Sequence, residues 1–267
     1  MKHYALLGER LGHSLSVPIH EAIFERLGVD ADYRLIELPR NTFADGARRL
    51  LGELDGFNVT IPYKQEIMPL LDHIDPQAAA IHAVNTVITG ETAIGHNTDA
   101  AGFSAMLRHY GIDPAGQVCY VLGGGGTSNT ARHVLRTMGA AAVHVVSRRP
   151  ADESILDYDR FHTSLLGTGG LIVNTTPAGM KNVADSCPIA PDRLEEAMRH
   201  ASGVVDAIYN PPETVLTLAA KAAGVPACTG LYMLIHQAVE AEALWQGLTG
   251  KMPDDLTDTL MKELKLL

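Results

Sequence analysis

The sequence predicts an α/β protein built of two open α/β domains, of which the C-terminal one is a Rossmann-like dinucleotide-binding fold. Three observations predict this class: short apolar runs alternate with helical patterns, a glycine-rich loop separates one such run from a helix, and the tail is helical. The 267 residues suffice for two domains with separate cores. We place the first domain at 1–101 plus 233–267, with the C-terminal helices packing back on it, and the second at 102–232.

The first third of the chain supplies the alternation. Its patterns predict a strand at 4–8, a helix at 17–28, a strand at 33–38, a helix at 42–51 and a strand at 56–61. The helix at 17–28 has its apolar residues on one face and ends at Gly28, a suitable C-terminal stop. Thr60 is a typical N-cap residue and Pro62 suits a first turn, so we expect a further helix after the third strand.

From residue 117 the pattern becomes regular. Predicted strands, in order, are QVCYVL at 117–122, AAVHVVS at 141–147, LIVNTTP at 171–177, GVVDAIY at 203–209 and VPACTG at 225–230. The glycine loop GGGGTSN and the helical TARHVLRTMG lie between the first two of these strands. Two helices, at 233–247 and 253–267, complete the predicted fold.

The charge balance limits the possible partners. Lys and Arg total 21 against 31 Asp and Glu, giving a net charge of −10 with neutral histidines. Such a field repels phosphates, which argues against a general nucleic-acid or anionic-membrane surface. Any anionic ligand must therefore be held by a local pocket.

The cysteines and histidines predict a cytoplasmic protein without a metal site. Cys119, Cys187 and Cys228 are scattered and lack CxxC spacing, which suits a reducing compartment. The twelve histidines form no metal-ligand motif such as HExxH. No segment has the length and apolarity of a membrane span, and the N-terminus has no long apolar run.

The glycine loop is a candidate pyrophosphate site. Gly123, Gly125 and Gly126 lie between a strand and a helix, where glycine permits close approach of a phosphate to the helix N-terminus. An ordinary glycine-rich turn is the alternative. After the next strand, where NAD-binding chains usually carry an acidic residue, stands the sequence Ser147-Arg148-Arg149. Guanidinium groups there favour the 2′-phosphate of NADP, unless they are solvated surface arginines.

Polar residues in the first domain follow the predicted strands. Ser14 and Ser16 precede a helix and can bind a carboxylate, although Ser16 can equally serve as the helix cap. Further polar groups are Asn58, Thr60 and Lys64, then Asn85 and Thr86, and then Asp99 near the start of another helix. Individually each suits a cap, but together they would line a cleft at the strand ends of an open sheet.

Lys64 and Asp99 are the candidate catalytic pair. Reduction of a ketone needs a hydride on carbon and a proton on oxygen, and an ammonium beside the carbonyl supplies the proton and stabilises the developing alkoxide. Asp99 would orient the amine and share in proton transfer. The alternative is an exposed lysine with a screened surface partner.

These residues resemble the shikimate dehydrogenase family over nearly the whole chain. The matching motifs, in order, are HSLSVPIH at 13–20, NVTIPYK at 58–64, AVNT at 83–86, GHNTD at 95–99, GGGGTS at 123–128, SRR at 147–149, NTTPAGM at 174–180, DAIYNP at 206–211 and GLYMLIHQA at 230–238. The resemblance implies reversible, NADPH-dependent reduction of 3-dehydroshikimate to shikimate in the pathway to chorismate and the aromatic amino acids.

The resemblance also implies roles for particular residues. Ser14 and Ser16 would bind the substrate carboxylate, Thr60, Asn85 and Gln237 would hold its hydroxyls and ring, and Tyr209 would line the junction of the two sites. Lys64 and Asp99 would be catalytic. The expected cofactor-binding residues are Gly123, Gly124, Gly125, Gly126, Thr127, Ser147, Arg148, Arg149 and Gly230.

Departures from the family pattern leave alternatives open. The family usually has Asn-Arg-Thr where this chain has Ser147-Arg148-Arg149, so NADP preference can be weaker. The short segment between Arg149 and LIVNTTP predicts that the helix commonly found there is shortened or lost. Two alternatives remain: a quinate/shikimate dehydrogenase with relaxed NAD/NADP use, and a non-catalytic shikimate-binding sensor.

We expect a monomer or homodimer with a small-molecule substrate.

Overall fold

The chain divides into two compact units. A computed structural model describes residues 1–12 and 14–264, so His13 and the last three residues of the helix expected at 253–267 lie outside the described residues. One unit comprises Met1–Gly102 and Ile235–Leu267, and the other comprises Phe103–Leu234. In the described part of the chain, no helix combines the length and the apolarity that crossing a lipid bilayer requires.

The first unit is a mixed six-stranded sheet with helices. Its strands are β1 (Lys2–Gly8), β2 (Ala31–Glu37), β3 (Gly56–Val59), β4 (His73–Ile74), β5 (Thr86–Ile88) and β6 (Ile94–His96), in the order β2-β1-β3-β5-β6-β4. Strand β1 pairs in parallel with both β2 and β3, whereas β5 is antiparallel to β3 and β6. The helices are α1 (Ser16–Leu27), α2 (Phe43–Glu53) and α3 (Pro76–Ile81), and α4 (Asp99–His109) begins in this unit.

The second unit is a parallel five-stranded sheet. Its strands are β7 (Val118–Leu122), β8 (Ala142–Val146), β9 (Gly170–Asn174), β10 (Ala201–Asp206) and β11 (Ala227–Thr229), in the order β11-β10-β9-β7-β8. Crossover helices α5 (Gly126–Thr137), α6 (Tyr158–Thr168), α7 (Pro191–His200) and α8 (Val215–Ala222) connect them. This is the doubly wound, Rossmann-like arrangement that the sequence predicts.

The C-terminal helices return to the first unit. They are α9 (Leu231–Trp245), of which Ile235–Trp245 belongs to that unit, and α10 (Leu256–Glu263). The indole of Trp245 stacks on Tyr4 with ring centroids 4.5 Å apart, and its Nε1 donates to the Val87 carbonyl at 3.0 Å. A Cβ at Gly56 would lie 2.4 Å from the same indole nitrogen. The packing therefore requires glycine at that position of β3.

The predicted helix after Thr60 is wrong. Residues 61–67 form successive turns, followed by a 3-10 helix at Met68–Leu70. The Lys64 carbonyl, which an α-helix would use internally, instead accepts from the Val84 amide at 2.8 Å. Tyr63 is fully buried and stacks on Phe43 with centroids 3.9 Å apart. Long-range pairing and core packing thus override the local capping pattern.

The helix after Arg149 was expected to be shortened or lost, and the expectation that it is lost is wrong. Helix α6 has 11 residues, and the Asp157 side chain caps it by accepting from the Arg160 amide at 2.8 Å. Phe161 and Leu165, one turn apart, are both buried in the core of this unit. An N-cap followed by an i, i+4 apolar pair is the signal that could have predicted this helix.

Candidate active site

The sheet topology of the first unit brings two predicted motifs to one edge. Strands β1 and β3 are parallel neighbours, so their carboxyl ends point the same way. The segment with Ser14 and Ser16 follows β1, and the segment with Thr60 and Lys64 follows β3. Strand β1 lies between β2 and β3, so the connections that leave β1 and β3 run in different directions. In an open α/β sheet, a crevice forms at the carboxyl ends of the strands where the connections diverge in this way.

Lys64 and Asp99 are in direct contact. The Lys64 ammonium donates to Asp99 Oδ2 at 2.5 Å, and the two side chains are 12% and 8% exposed. The pair is therefore almost fully removed from solvent, unlike a screened surface pair. Asp99 is the first residue of α4, and a carboxylate is favoured at a helix N-terminus. The structure removes the alternative of an exposed lysine.

Asn85 connects the pair to Gln237. Its Nδ2 donates to Asp99 Oδ1 at 2.9 Å and lies 3.3 Å from Gln237 Oε1. Its Oδ1 accepts from the Thr98 amide at 2.7 Å, which fixes the orientation of the side-chain amide. All four of these residues are buried. Residues 152 positions apart in sequence thus share one hydrogen-bonded group.

Ser16 does not cap a helix. Helix α1 begins at Ser16 itself, and its N-cap Leu15 makes no side-chain cap hydrogen bond, although the Ser16 amide donates to Ser14 Oγ at 3.2 Å. The Ser14 hydroxyl donates to Ser16 Oγ at 3.0 Å, so the two hydroxyls lie side by side. Two hydroxyls at the start of a helix are suitable donors for a carboxylate, which is the role that the family resemblance implies.

Thr60 lies at the same end of β3 as Lys64, whereas Tyr209 belongs to the other unit. Thr60 pairs through its backbone with the Leu7 carbonyl at 2.9 Å, and its methyl faces Gly8. Tyr209 follows β10, and burial raises the pKa of its phenol.

The glycine loop lies at the switch point of the second sheet. Strand β7 has β8 on one side and β9 on the other, and the loop leaves its carboxyl end. Gly123 has φ +110°, a conformation that favours glycine. Helix α5 begins at Gly126 without a side-chain cap, so the amides of the first turn, including that of Thr127, lack intrahelical acceptors.

The same loop has room for a dinucleotide. A Cβ added at Gly124 or Gly125 would meet no atom within 4 Å, so neither glycine is required by the packing of the protein itself. Open space next to a helix N-terminus is the arrangement that a pyrophosphate requires. These residues therefore fit the cofactor that the sequence predicts.

Arg148 and Arg149 are exposed beyond the end of β8. Ser147 Oγ accepts from the Arg149 amide at 3.1 Å and shapes this turn. Within the described ranges, no carboxylate forms an ion pair with either guanidinium. Burial raises the pKa of the Tyr158 phenol, and the positive charge of nearby Arg148 acts to lower it. Both guanidinium groups are thus available for an anion.

Gly230 packs against the loop after β10. Its amide donates to the Ile208 carbonyl at 2.9 Å, and a Cβ at this position would lie 2.2 Å from the Ala207 carbonyl oxygen. Only glycine allows this approach, which brings the backbone of Gly230 next to the segment that carries Tyr209.

Several buried polar residues surround the Lys64–Asp99 pair, and sequence reasoning singled out only Asn58 and Thr86 among them, as general cleft-lining groups. These buried residues are Tyr33, Asn58, Thr86 and Thr98, which are at most 4% exposed. Asn58 was visible in the sequence as a polar residue inside an apolar strand, a position that calls for a hydrogen-bond partner. Nothing in the local pattern indicates that Tyr33, on a different strand, is that partner.

Comparisons with known proteins give a consistent result. Residues 6–87 match the model of the shikimate dehydrogenase substrate binding domain. A curated shikimate dehydrogenase (NADP(+)) of Clostridium beijerinckii is 33% identical over 274 residues, which cover 99% of this chain and 100% of that protein.

Solved structures give the same similarity in three dimensions. Shikimate dehydrogenase 1 from Peptoclostridium difficile has a TM-score of 0.89 at 33% identity, covering 100% of this chain and 98% of that one. Shikimate 5-dehydrogenase from Thermus thermophilus, in complex with NADP(H) and shikimate, has a TM-score of 0.85 at 32% identity, covering 100% of this chain and 100% of that one.

Proposed function

Because this chain belongs to the shikimate dehydrogenase family, we propose that it catalyses the reversible, NADPH-dependent reduction of 3-dehydroshikimate to shikimate. The observation that carries this proposal is the buried contact between Lys64 and Asp99, oriented by Asn85. A protein that only bound the ligand would not require an ammonium group that is shielded from solvent beside a carboxylate. The residues at 1–101 plus 233–267 form the substrate-binding catalytic domain of this proposal, and 102–232 form its NADP-binding domain.

The first unit binds and orients the substrate in this scheme. The hydroxyls of Ser14 and Ser16 hold the carboxylate, and Thr60, Asn85 and Gln237 hold the ring hydroxyls. Lys64 donates a proton to the carbonyl oxygen as negative charge develops on it, and it stabilises that charge before the transfer. Asp99 fixes the ammonium in place through Oδ2 while Asn85 holds its other oxygen. In the oxidation of shikimate, Lys64 takes the proton back.

The second unit binds the cofactor, which supplies the hydride when bound. Gly124, Gly125, Gly126 and Thr127 meet the pyrophosphate with backbone amides at the start of α5, and Gly123, whose own amide donates to the Val146 carbonyl at 2.9 Å, shapes the loop. Arg148 and Arg149 bind the 2′-phosphate, and Ser147 shapes the turn that carries them. Gly230 contributes its backbone to the nicotinamide site, and Tyr209, on the adjacent segment, contacts the substrate.

A cofactor-by-substrate activity matrix tests the proposal. Purified protein is assayed with shikimate and quinate, each with NADP⁺ and NAD⁺, and with 3-dehydroshikimate and NADPH in the reverse direction. We expect the largest kcat/KM for shikimate with NADP⁺. Preference for quinate with NAD⁺ would favour the quinate/shikimate alternative. Tight shikimate binding with no turnover would favour the sensor and reject the enzyme.

We further propose a cytoplasmic protein that acts as a monomer or homodimer, without a nucleic-acid or membrane partner and without a metal. The free cysteines Cys119, Cys187 and Cys228 support the reducing compartment. Light scattering during size-exclusion chromatography measures the oligomeric state, and unchanged activity after EDTA treatment is expected for a metal-free enzyme.

A further inference from the structure

Tyr33 occupies a buried position between the two halves of the proposed substrate site. It lies on β2, is 4% exposed, and donates its hydroxyl to Asn58 Oδ1 at 2.7 Å. Burial raises the pKa of this phenol well above its ordinary value, the charge of Glu242 raises it further, and an interaction with the neighbouring Ser16 side chain opposes both. The Tyr33 hydroxyl therefore lies beside Ser16 and donates to Asn58.

The hydrogen bonds continue from Asn58 to the catalytic pair. Asn58 Nδ2 donates to Thr86 Oγ1 at 3.0 Å, and these two residues are direct partners across β3 and β5. Thr86 Oγ1 donates to Asn85 Oδ1 at 3.0 Å. Asn85 in turn donates to Asp99, the partner of Lys64. The path from Tyr33 to Asp99 is thus hydrogen-bonded at every step.

The donors of this path all point the same way. From the Tyr33 hydroxyl onward, each group donates to the next until the Asp99 carboxylate, which only accepts. Hydrogen bonds aligned in one direction polarise one another, and a buried group that loses its partner is costly. A change at one link therefore affects the orientation of its neighbours.

A buried histidine and glutamate hold the ring of Tyr33. The imidazole of His20 stacks on Tyr33 with centroids 3.9 Å apart and planes 6° apart. His20 Nδ1 and Glu242 Oε1 are 2.6 Å apart, and both side chains are fully buried. His20 Nε2 makes no hydrogen bond within the described residues, so the Nδ1 contact with Glu242 and the stacking on Tyr33 hold the imidazole here.

We propose that Tyr33 is a positioning residue that joins the serines for the substrate carboxylate to the Lys64–Asp99 pair, with its ring held by His20 and Glu242. It touches neither the substrate nor the cofactor. Its hydroxyl sets the direction in which the Ser16 hydroxyl points and anchors Asn58, so that binding of the carboxylate and orientation of Asp99 belong to one hydrogen-bonded unit. This inference rests on the proposed function and names a residue that it does not include.

Tyr33→Phe tests the inference because it removes the hydroxyl alone. We expect KM for shikimate to rise roughly tenfold, because buried Asn58 Oδ1 loses the hydroxyl that donates to it. The affinity for NADPH should stay unchanged. Tyr4→Phe is the matched control: Tyr4 belongs to the same aromatic cluster, but its hydroxyl accepts from Gln246 instead. Tyr4→Phe should keep the KM of the wild type. Equal KM values in the two variants would overturn the inference.

A double-mutant cycle with Ser16→Ala separates positioning from general destabilisation. If Tyr33 acts through Ser16, the double variant should be little worse than Ser16→Ala alone, whereas fold losses that multiply would reject the inference. Should Tyr33→Phe fail to fold, Thr86→Val interrupts the same path, and we expect kcat/KM for shikimate to fall several-fold. An unchanged kcat/KM would reject the path. Absence of shikimate turnover in the wild type would instead reject the proposed function.

Discussion

At the scale of single residues, the environment of Lys64 determines what it can do. A lysine in water would have mobile, hydrated ammonium protons, whereas this one is 12% exposed and fixed at 2.5 Å from Asp99. A fixed donor in a poorly solvated site stabilises developing charge more strongly than water does, because it needs no reorganisation. Substrate affinity, by contrast, has several other contributors in this site.

Replacing Lys64 with alanine should therefore lower kcat far more than it raises KM. We expect a fall in kcat of about 10²- to 10⁴-fold, the usual contribution of a general acid. Steady-state kinetics with shikimate and NADP⁺ measures both constants. Lys251→Ala, at an exposed position, is the control and should leave them unchanged. Wild-type turnover in Lys64→Ala would contradict the catalytic assignment.

Arg148 should discriminate between the two nicotinamide cofactors. Arg148→Ala removes a guanidinium available for the 2′-phosphate, so we expect NADPH binding to weaken about 10- to 100-fold. NADH lacks this phosphate and should bind as before. Fluorescence titration with each cofactor measures both affinities, and Arg149→Ala shows the share of the second arginine. Equal losses for NADPH and NADH would remove the 2′-phosphate assignment.

At the scale of elements, one carboxylate joins three segments of the second unit. Asp206, the last residue of β10, is fully buried and accepts from Asn174 at the end of β9 and from Thr214 before α8. It also accepts from the Ile208 amide at 3.1 Å, within the loop that carries Tyr209. Burial raises the pKa of Asp206 to about 6, although these hydrogen bonds act to lower it.

This carboxyl should make stability depend on pH. Because its folded pKa is raised, its contribution is fully present below its ordinary pKa near 4 and is lost as the pH rises to about 6. Asp206→Asn keeps the shape without the titration. We expect the stability of the wild type relative to this variant to fall on the order of 3 kcal/mol between pH 4 and pH 6.5.

Urea unfolding at several pH values measures that difference. Asp192→Asn, at an exposed position, is the control, and its stability relative to the wild type should not follow the same curve. A pH-independent difference between the wild type and Asp206→Asn would show that the carboxyl does not titrate in this window.

At the scale of the whole molecule, ligand binding should appear as thermal stability. A ligand that binds only the folded state at about 100 times its Kd adds about 2.7 kcal/mol to the free energy of unfolding. We expect shikimate to raise Tm by several degrees in the wild type and in Lys64→Ala, because the role proposed for Lys64 lies mainly in the transition state. Ser16→Ala should lose most of the shift. Differential scanning fluorimetry measures it, and an undiminished shift in Ser16→Ala would contradict the carboxylate assignment.

The comparison of sequence and structure shows which signals are local. The family and the α/β class are confirmed. Both could be predicted because the strand lengths, the helix period and the glycine loop are each visible within a few consecutive residues. The helix expected after Thr60 is wrong because its capping pattern does not reveal that Val84 uses the Lys64 carbonyl. The expected loss of α6 is wrong because the segment was judged by its length and not by the Asp157 cap. The site roles stay predictions.

The sequence by itself determined the order of the elements and the identity of the chemical groups, because both depend on residues that are neighbours along the chain. Only the tertiary structure decided that Ser16 is free of a capping role and that Tyr33 donates to Asn58. Those decisions depend on which strands lie side by side and on which buried polar groups must satisfy one another, and both are set by long-range packing.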